Sequence, residues 1–183
     1  MQNLLVTRFK SLKNTKPDFE CTLLDCLLEI KSDKHKAAIQ LIRAEPEPSK
    51  SKLKDKLPLF TPCGTFNHRS LAGIKQYNGI IYLDIDNIDN VLEVKELCKN
   101  IGWVLAAFIT PSGRGIKIIV KTNATQETYK TVELAVAKDF FEQTGCERDP
   151  RCKDLARINF LSYDPDIYIN EDAWTFNYLT AKI

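Results

Sequence analysis

The chain has 183 residues, enough for one substantial hydrophobic core with a small appendage. At 44% hydrophobic and 27% charged it is ordinary for a globular protein, which excludes a disordered or fibrous chain. A net charge of only +2 excludes a global polycation, and no run approaches the ~20 apolar residues of a membrane span.

In chain order, "QNLLVTRF" (2–9) predicts a first strand. "FECTLLDCLLEIKS" (19–32), with Leu23, Leu24, Leu27 and Leu28 near helical spacing, predicts a helix, and "KHKAAIQLIRA" (34–44) a second. "EPEPSKSKLKDK" (45–56) is rich in Pro and Lys and predicts a loop or linker. "LPLFTPCGTF" (57–66) predicts a strand with a Pro-Cys-Gly turn, and "YNGIIYLDID" (77–86) a strand opened by Asn78-Gly79. "DNVLEVKELCKNIG" (89–102) predicts a helix with Asp89 or Asn90 as its cap, Val91, Val94, Leu97 and Cys98 as its inner stripe, and Gly102 as its end. A buried strand "WVLAAFIT" (103–110), a tight turn "PSGRG" (111–115) and a returning strand "IKIIVKT" (116–122) follow. A long helix (125–145) stopped by Gly145, a strand "ARINFLSYD" (156–164) and short extended pieces around "DIYIN" and "TFNYL" complete the chain. The expected fold class is α+β: a mixed, mostly antiparallel sheet backed by helices. Residues 1–56 form a small N-terminal part of strand, helices and basic linker within the same unit, and residues 57–183 the main core.

Residues 1–56 hold twelve Lys or Arg against eight Asp or Glu. Much of the positive charge lies in "KSLKNTK" (10–16), "KSDKHK" (31–36) and "KSKLKDK" (50–56), which read either as a solvated surface or as a basic rim near an anionic ligand. The N-terminus lacks the order of a signal peptide, and the expectation is a cytoplasmic protein with no membrane partner. The six cysteines, Cys21, Cys26, Cys63, Cys98, Cys146 and Cys152, form no Cys-x-x-Cys pair, and most read as small buried hydrophobes; the Cys146–Cys152 spacing is a weak metal signal.

Asp84 and Asp86 interrupt the apolar run "GIIYLDIDNI". Along a strand they project from one face, roughly 6.6 to 6.8 Å apart, while Ile81, Leu83 and Ile85 take the other face. Two carboxylates that close stay ionised only around a cation, and oxygen ligands suit Mg²⁺ or Mn²⁺. The alternative is that the strand ends at Leu83 and both are solvated turn residues. In "TPSGRGIKIIVK", Gly113 and Gly115 allow close backbone approach or positive φ, Ser112 offers a hydroxyl, and Arg114 and Lys117 add charge, an arrangement suited to phosphate. An ordinary hairpin with exposed basic residues has the same pattern. The segment 146–166 carries Asp149, Asp154, Arg157, Asp164 and Asp166; one acid can complete a carboxylate triad and Arg157 can face a triphosphate, whereas Asp-Pro turns account for Asp164 and Asp166.

In order, "YLDIDN", "PSGRGIK" and "RDPRCKDLARINFLS" resemble the three motifs of the archaeo-eukaryotic primase superfamily, the primase–polymerases, and more closely the VirE N-terminal type of domain found in bacterial and mobile-element proteins ahead of helicase-like regions. "LPLFTPCGTFNHRS" and "RINFLSYDPDIYIN" are also similar to that group, and the resemblance covers most of residues 1–170. It implies an RRM-like catalytic core and template-directed nucleotidyl transfer with nucleoside triphosphates, a DNA template, Mg²⁺ or Mn²⁺, and a fused or separate helicase as partner. Carried over by position, Asp84 and Asp86 stand as motif one. Ser112, Gly113, Gly115 and Lys117 stand as motif two, with Lys117 where many members have His. Asp149 stands as the third metal-binding carboxylate, with Asp154 as its rival. The resemblance implies that Asp84, Asp86 and Asp149 hold metals about 3.5–4 Å apart, while Ser112, Arg114, Lys117 and Arg157 neutralise the triphosphate and the basic clusters follow template phosphates. His68 and Arg69 reach nucleotide or template, or form a polar turn; Tyr77, Tyr82 and Phe66 fit core packing better than base stacking. The competing expectations are a non-catalytic RRM-like module for single-stranded nucleic acid, whose typical aromatic motif is absent, a metal-dependent nuclease, and a family member that kept the fold but lost activity.

Overall fold

A computed structural model describes residues 3–151 and 154–178. The chain forms β1 (Leu5–Phe9), β2 (Phe19–Thr22), α1 (Leu23–Lys31), α2 (Lys36–Ala44), α3 (Ser49–Lys54), β3 (Leu59–Thr61), β4 (Gly64–Phe66) and β5 (Ile74–Tyr77). β6 (Ile80–Asp86), α4 (Val91–Lys99), β7 (Val104–Ile109), β8 (Gly115–Lys121), α5 (Tyr129–Thr144), β9 (Asn159–Phe160) and β10 (Tyr168–Ile169) follow. It is a mixed α+β protein with five helices and antiparallel sheets among its described residues.

The strands make two four-stranded sheets, β2-β1-β3-β9 and β10-β7-β8-β6, and a small β4-β5 ribbon. In the second sheet β6 and β7 both pair antiparallel with β8, so they run parallel to each other with β8 between them. Helix α4 connects them, a split β-α-β unit. The N-terminal residues do not stand apart from the rest, because β1 sits between β2 and β3, and β3 in turn pairs with β9 from the far end of the chain. One contiguous apolar core joins Val6, Leu27 and Phe60 to the Ile- and Val-rich strands β6–β8 and to Val132, Val136 and Phe140 of α5.

Several local readings need correction. Residues 19–22 are strand, not helix; Thr22 caps α1 through a reciprocal capping box with Asp25, which sets the helix start at Leu23, four residues late. The expected 45–56 linker contains α3, because Leu53 joins the small core of Ile39, Ile42 and Leu57 while Lys54 lies 5.4 Å from the Phe160 ring. Asn90 occupies the N-cap position of α4 but makes no side-chain cap, and on the inner stripe buried Lys95 replaces Leu97, which is 36% exposed. The expected strand 156–164 shrinks to β9, the two residues Asn159 and Phe160 that pair with β3. β5, a partly exposed strand paired only with β4, is not predicted by the residue pattern. Cys152 lies outside the described residues. No helix among the described residues is long and apolar enough to cross a membrane.

Candidate metal and phosphate site

Strand β6 is an edge strand, and its alternation places Asp84 and Asp86 on one face. Asp84 lies opposite Lys117 of β8 and Asp86 opposite Gly115. The strand stops at Asn87, whose φ of 56° lies in the left-handed region that Asn tolerates. The free edge is met by the loop after α5: Gly145, at φ 71°, ends the helix, and the Asp149 N–H then donates to the Asp84 carbonyl at 2.7 Å. This one main-chain bond delivers the third acid, and Arg148 pairs with buried Glu133 of α5 to hold the loop in place. One carboxylate oxygen from each of Asp84, Asp86 and Asp149 lies within 4.8 Å of those of the other two. Asp154 does not join them; its carboxylate accepts from the Ala156 N–H beside a neighbouring hollow.

Two cations already touch the cluster. Lys117 Nζ forms an ion pair with Asp84, both largely buried, and also lies 5.7 Å from the Tyr82 ring. Arg151 Nε donates to Asp149 Oδ1 and Oδ2 at 2.9 and 3.0 Å, and its Nη2 lies 3.7 Å from Asp86 Oδ2. Burial, then the Asp84 carboxylate and further off that of Asp149, push Asp86 above the ordinary carboxylate range, against the pull of Lys117 and Lys54. Burial also works against charge on Asp149, but hydrogen bonds from Arg151 and the charge of Arg157 outweigh it and hold Asp149 below the usual range.

The three acids open into a cleft of about 390 Å³ that Lys117, Arg157, Arg151, Lys54, Asp55 and Phe160 also line. Gly115 borders it: a Cβ there would sit 2.7 Å from the Ile85 carbonyl and 3.1 Å from Asp86 Oδ1, so only glycine lets β8 pass this close to the acid. Ser112, Gly113 and Arg114 are not among the residues lining this cleft. Gly113, at φ 76°, faces the Arg43 side chain and a second cavity of about 620 Å³ in front of α4. The turn's glycines therefore serve two different places. His68 is exposed, and Arg69 donates to the Leu12 carbonyl at 2.6 Å beside Asp154 and Arg157. Phe66 and Tyr82 are core residues, and Tyr77 packs edge-on to Tyr129.

Of the basic clusters, 10–16 and 50–56 meet next to the cleft, tied by Leu12 N–H to the Asp55 carbonyl at 3.0 Å, with Lys13, Lys52 and Lys56 around an adjoining hollow. In the 31–36 cluster Lys34 pairs with Glu29 and Lys36 with Asp33. Arg151 and Lys54 were not singled out from the sequence, although Arg151 is two residues from Asp149 and Lys54 lies inside a flagged basic run. Asp164 does open a turn, its carbonyl accepting from the Ile167 N–H at 3.1 Å, but its carboxylate is buried and paired with Lys95 at 2.8 Å rather than solvated.

The donor set is all carboxylate oxygen, from a buried strand position, a half-open strand end and a returning loop, which is the chemistry that suits a hard divalent cation. Fold and site together define an α+β protein whose edge-strand acids and adjoining loop acid can hold a metal ion under a basic rim. A family model described as BT4734-like, N-terminal domain, matches residues 52–169, and the chain belongs to that family. No curated protein and no solved structure matches it.

Proposed function

We propose that the chain is a nucleotidyltransferase of the primase–polymerase type, with an RRM-like core of the VirE N-terminal kind. It would join nucleoside triphosphates on a nucleic-acid template with Mg²⁺ or Mn²⁺. The observation that carries the reading is the convergence of Asp84, Asp86 and Asp149 on one point, bordered by Lys117 and Arg157. The β6-α4-β7-β8-α5 succession, with its split β-α-β unit, supports the RRM-like assignment.

The three carboxylates would hold the divalent cation, which when bound lowers the pKa of an attacking hydroxyl and stabilises a pyrophosphate leaving group. Asp84 and Asp149, both buried, fix the donor positions; Asp86, half-open, is the acid that substrate can approach. Lys117 and Arg157 supply fixed positive charge to a triphosphate entering the cleft, and Arg151 can exchange a carboxylate for a phosphate oxygen without leaving it. Gly115 keeps a side chain out of the space beside Asp86. Lys13, Lys52, Lys54 and Lys56 form a rim along which a polyanionic template can lie.

The test is Mn²⁺-dependent binding of a labelled triphosphate and template-directed incorporation, with and without a primer, compared with Asp84→Ala. Incorporation abolished by that substitution supports the polymerase. Shortening of the primer supports a nuclease, and nucleic-acid binding with no triphosphate affinity supports a non-catalytic module. The Lys117–Asp84 contact favours one second reading, a self-neutralised cluster in a member that has lost activity. It predicts no Mn²⁺ binding by the wild-type chain.

A further inference from the structure

The segment "CTLLDC" (21–26) places a cysteine on each side of the α1 capping box. Thr22 is the N-cap: its hydroxyl accepts from Asp25 N–H at 3.1 Å, and its own N–H donates to Asp25 Oδ2 at 2.9 Å. Cys21 therefore holds the position before the cap and Cys26 the fourth helical position. In many helices these two sites carry apolar side chains that pack together as a staple fixing the entry of the chain. Here both are thiols, and their Sγ atoms lie 3.6 Å apart. No other pair of cysteine sulfurs among the described residues is in such contact.

The two members differ in access. Cys26 is fully buried, with Arg8 Nη1 3.8 Å from its sulfur, whereas Cys21, on β2, is partly exposed. The hydrogen bond from Cys26, and beyond it the charge of Arg8, lower the Cys21 thiol pKa, with burial opposing. Cys21 is thus the sulfur a soluble oxidant meets first, and Cys26 the thiol placed to resolve the product.

We propose that Cys21 and Cys26 are a redox modification site, converted by a peroxide into an intramolecular disulfide that staples the start of α1 to β2. The Cys21 thiolate attacks a peroxide oxygen, the O–O bond breaks, and Cys21 becomes a sulfenic acid as hydroxide leaves and takes up the thiol's proton. Cys26 Sγ then attacks the Cys21 sulfur; the S–S bond forms, the S–O bond breaks, and the oxygen departs as water with the Cys26 proton. Two thiols and one hydrogen peroxide give one disulfide and two waters. The sulfurs have only to close from 3.6 Å to a bond of about 2.05 Å, within reach of side-chain rotation at the partly exposed Cys21.

The site is independent of the carboxylate cleft, and its test uses the native chain. After limited treatment with hydrogen peroxide, alkylation and tryptic digestion, both cysteines fall in the one peptide Asn14–Lys31, because Pro17 protects the bond after Lys16. The expected result is loss of both alkylation sites, a peptide lighter by two hydrogens, and recovery of both thiols with dithiothreitol. Cys26→Ser should stop at a Cys21 sulfenic acid that dimedone traps. Two persistent free thiols in the wild-type chain, a sulfinic acid at Cys21, or a disulfide that forms no faster than in the urea-unfolded chain would each overturn the proposal.

Discussion

Replacing Lys117 with Met tests how the carboxylate cluster is neutralised. Lys117 and Asp84 are 8% and 7% exposed and in direct ion contact, and Met keeps the apolar stem over Tyr82 while deleting the charge. Removing one partner of a buried pair costs about 3–5 kcal/mol. The lower end applies here, because Asp84 lines an open cleft. At ~2–4 °C per kcal/mol for a chain of this size, the metal-free variant should melt about 6–12 °C below wild type. A divalent cation can then take the place of the missing charge at Asp84. Free Mn²⁺ at a hundred times its dissociation constant adds about 2.7 kcal/mol, so it should recover most of the loss. Differential scanning fluorimetry at matched free Mn²⁺ reads both effects. A variant that melts within ~2 °C of wild type, or an Mn²⁺ shift equal in the two proteins, would refute the idea that Lys117 stands in for a cation at Asp84.

Lys95→Met should cost about 3–5 kcal/mol in urea unfolding, because it leaves Asp164 buried without its cation. Adding Asp164→Asn should recover part of that, since Asn still accepts from the Ile109 N–H; a double variant less stable than either single one would contradict the pairing. Burial opposes charge on Glu29, but hydrogen bonds from Arg8, His35 and Lys34 outweigh it and hold its carboxyl at about 2, against 4.5 unperturbed. Its folded pKa is depressed, so its contribution is present above about 4.5 and lost as pH falls toward 2. Glu29→Gln should remove ~1–2 kcal/mol of pH-dependent stability in that window, after allowance for solvent screening of the exposed Lys34. An unchanged acid unfolding curve would refute this. Gly115→Ala should cost about 1–3 kcal/mol and weaken Mn²⁺ binding, as its Cβ must push the Ile85 carbonyl and displace Asp86; calorimetric titration of the variant checks the second effect.

Local physics was legible in the residues alone. Alternation in "GIIYLDIDNI" put both aspartates on one face of a strand, because side chains along an extended backbone alternate whatever the sheet around them. Gly145 announced the end of α5, because its left-handed φ costs a glycine nothing. Burial of charge was not legible. Lys95 sits one position from the expected apolar stripe of α4, and only Asp164, brought 69 residues along the chain, makes its burial tolerable. A helix assignment for "FECT" failed because pairing with β1 outweighed the Leu periodicity next to it. The candidate site divides the same way. The acids, the lysine and the glycine turn could be named from their sequence, but not which of them meet. The hydrogen bond from the Asp149 N–H to the edge of β6, with the Arg148–Glu133 pair behind it, brings Asp149 rather than Asp154 beside the two aspartates, and the turn sends Gly115 to the acids and Gly113 to Arg43. Short-range periodicity is written into neighbouring residues; the convergence of loops from distant parts of the chain depends on which edge is left open when the sheet closes, and that is decided only by packing of the whole.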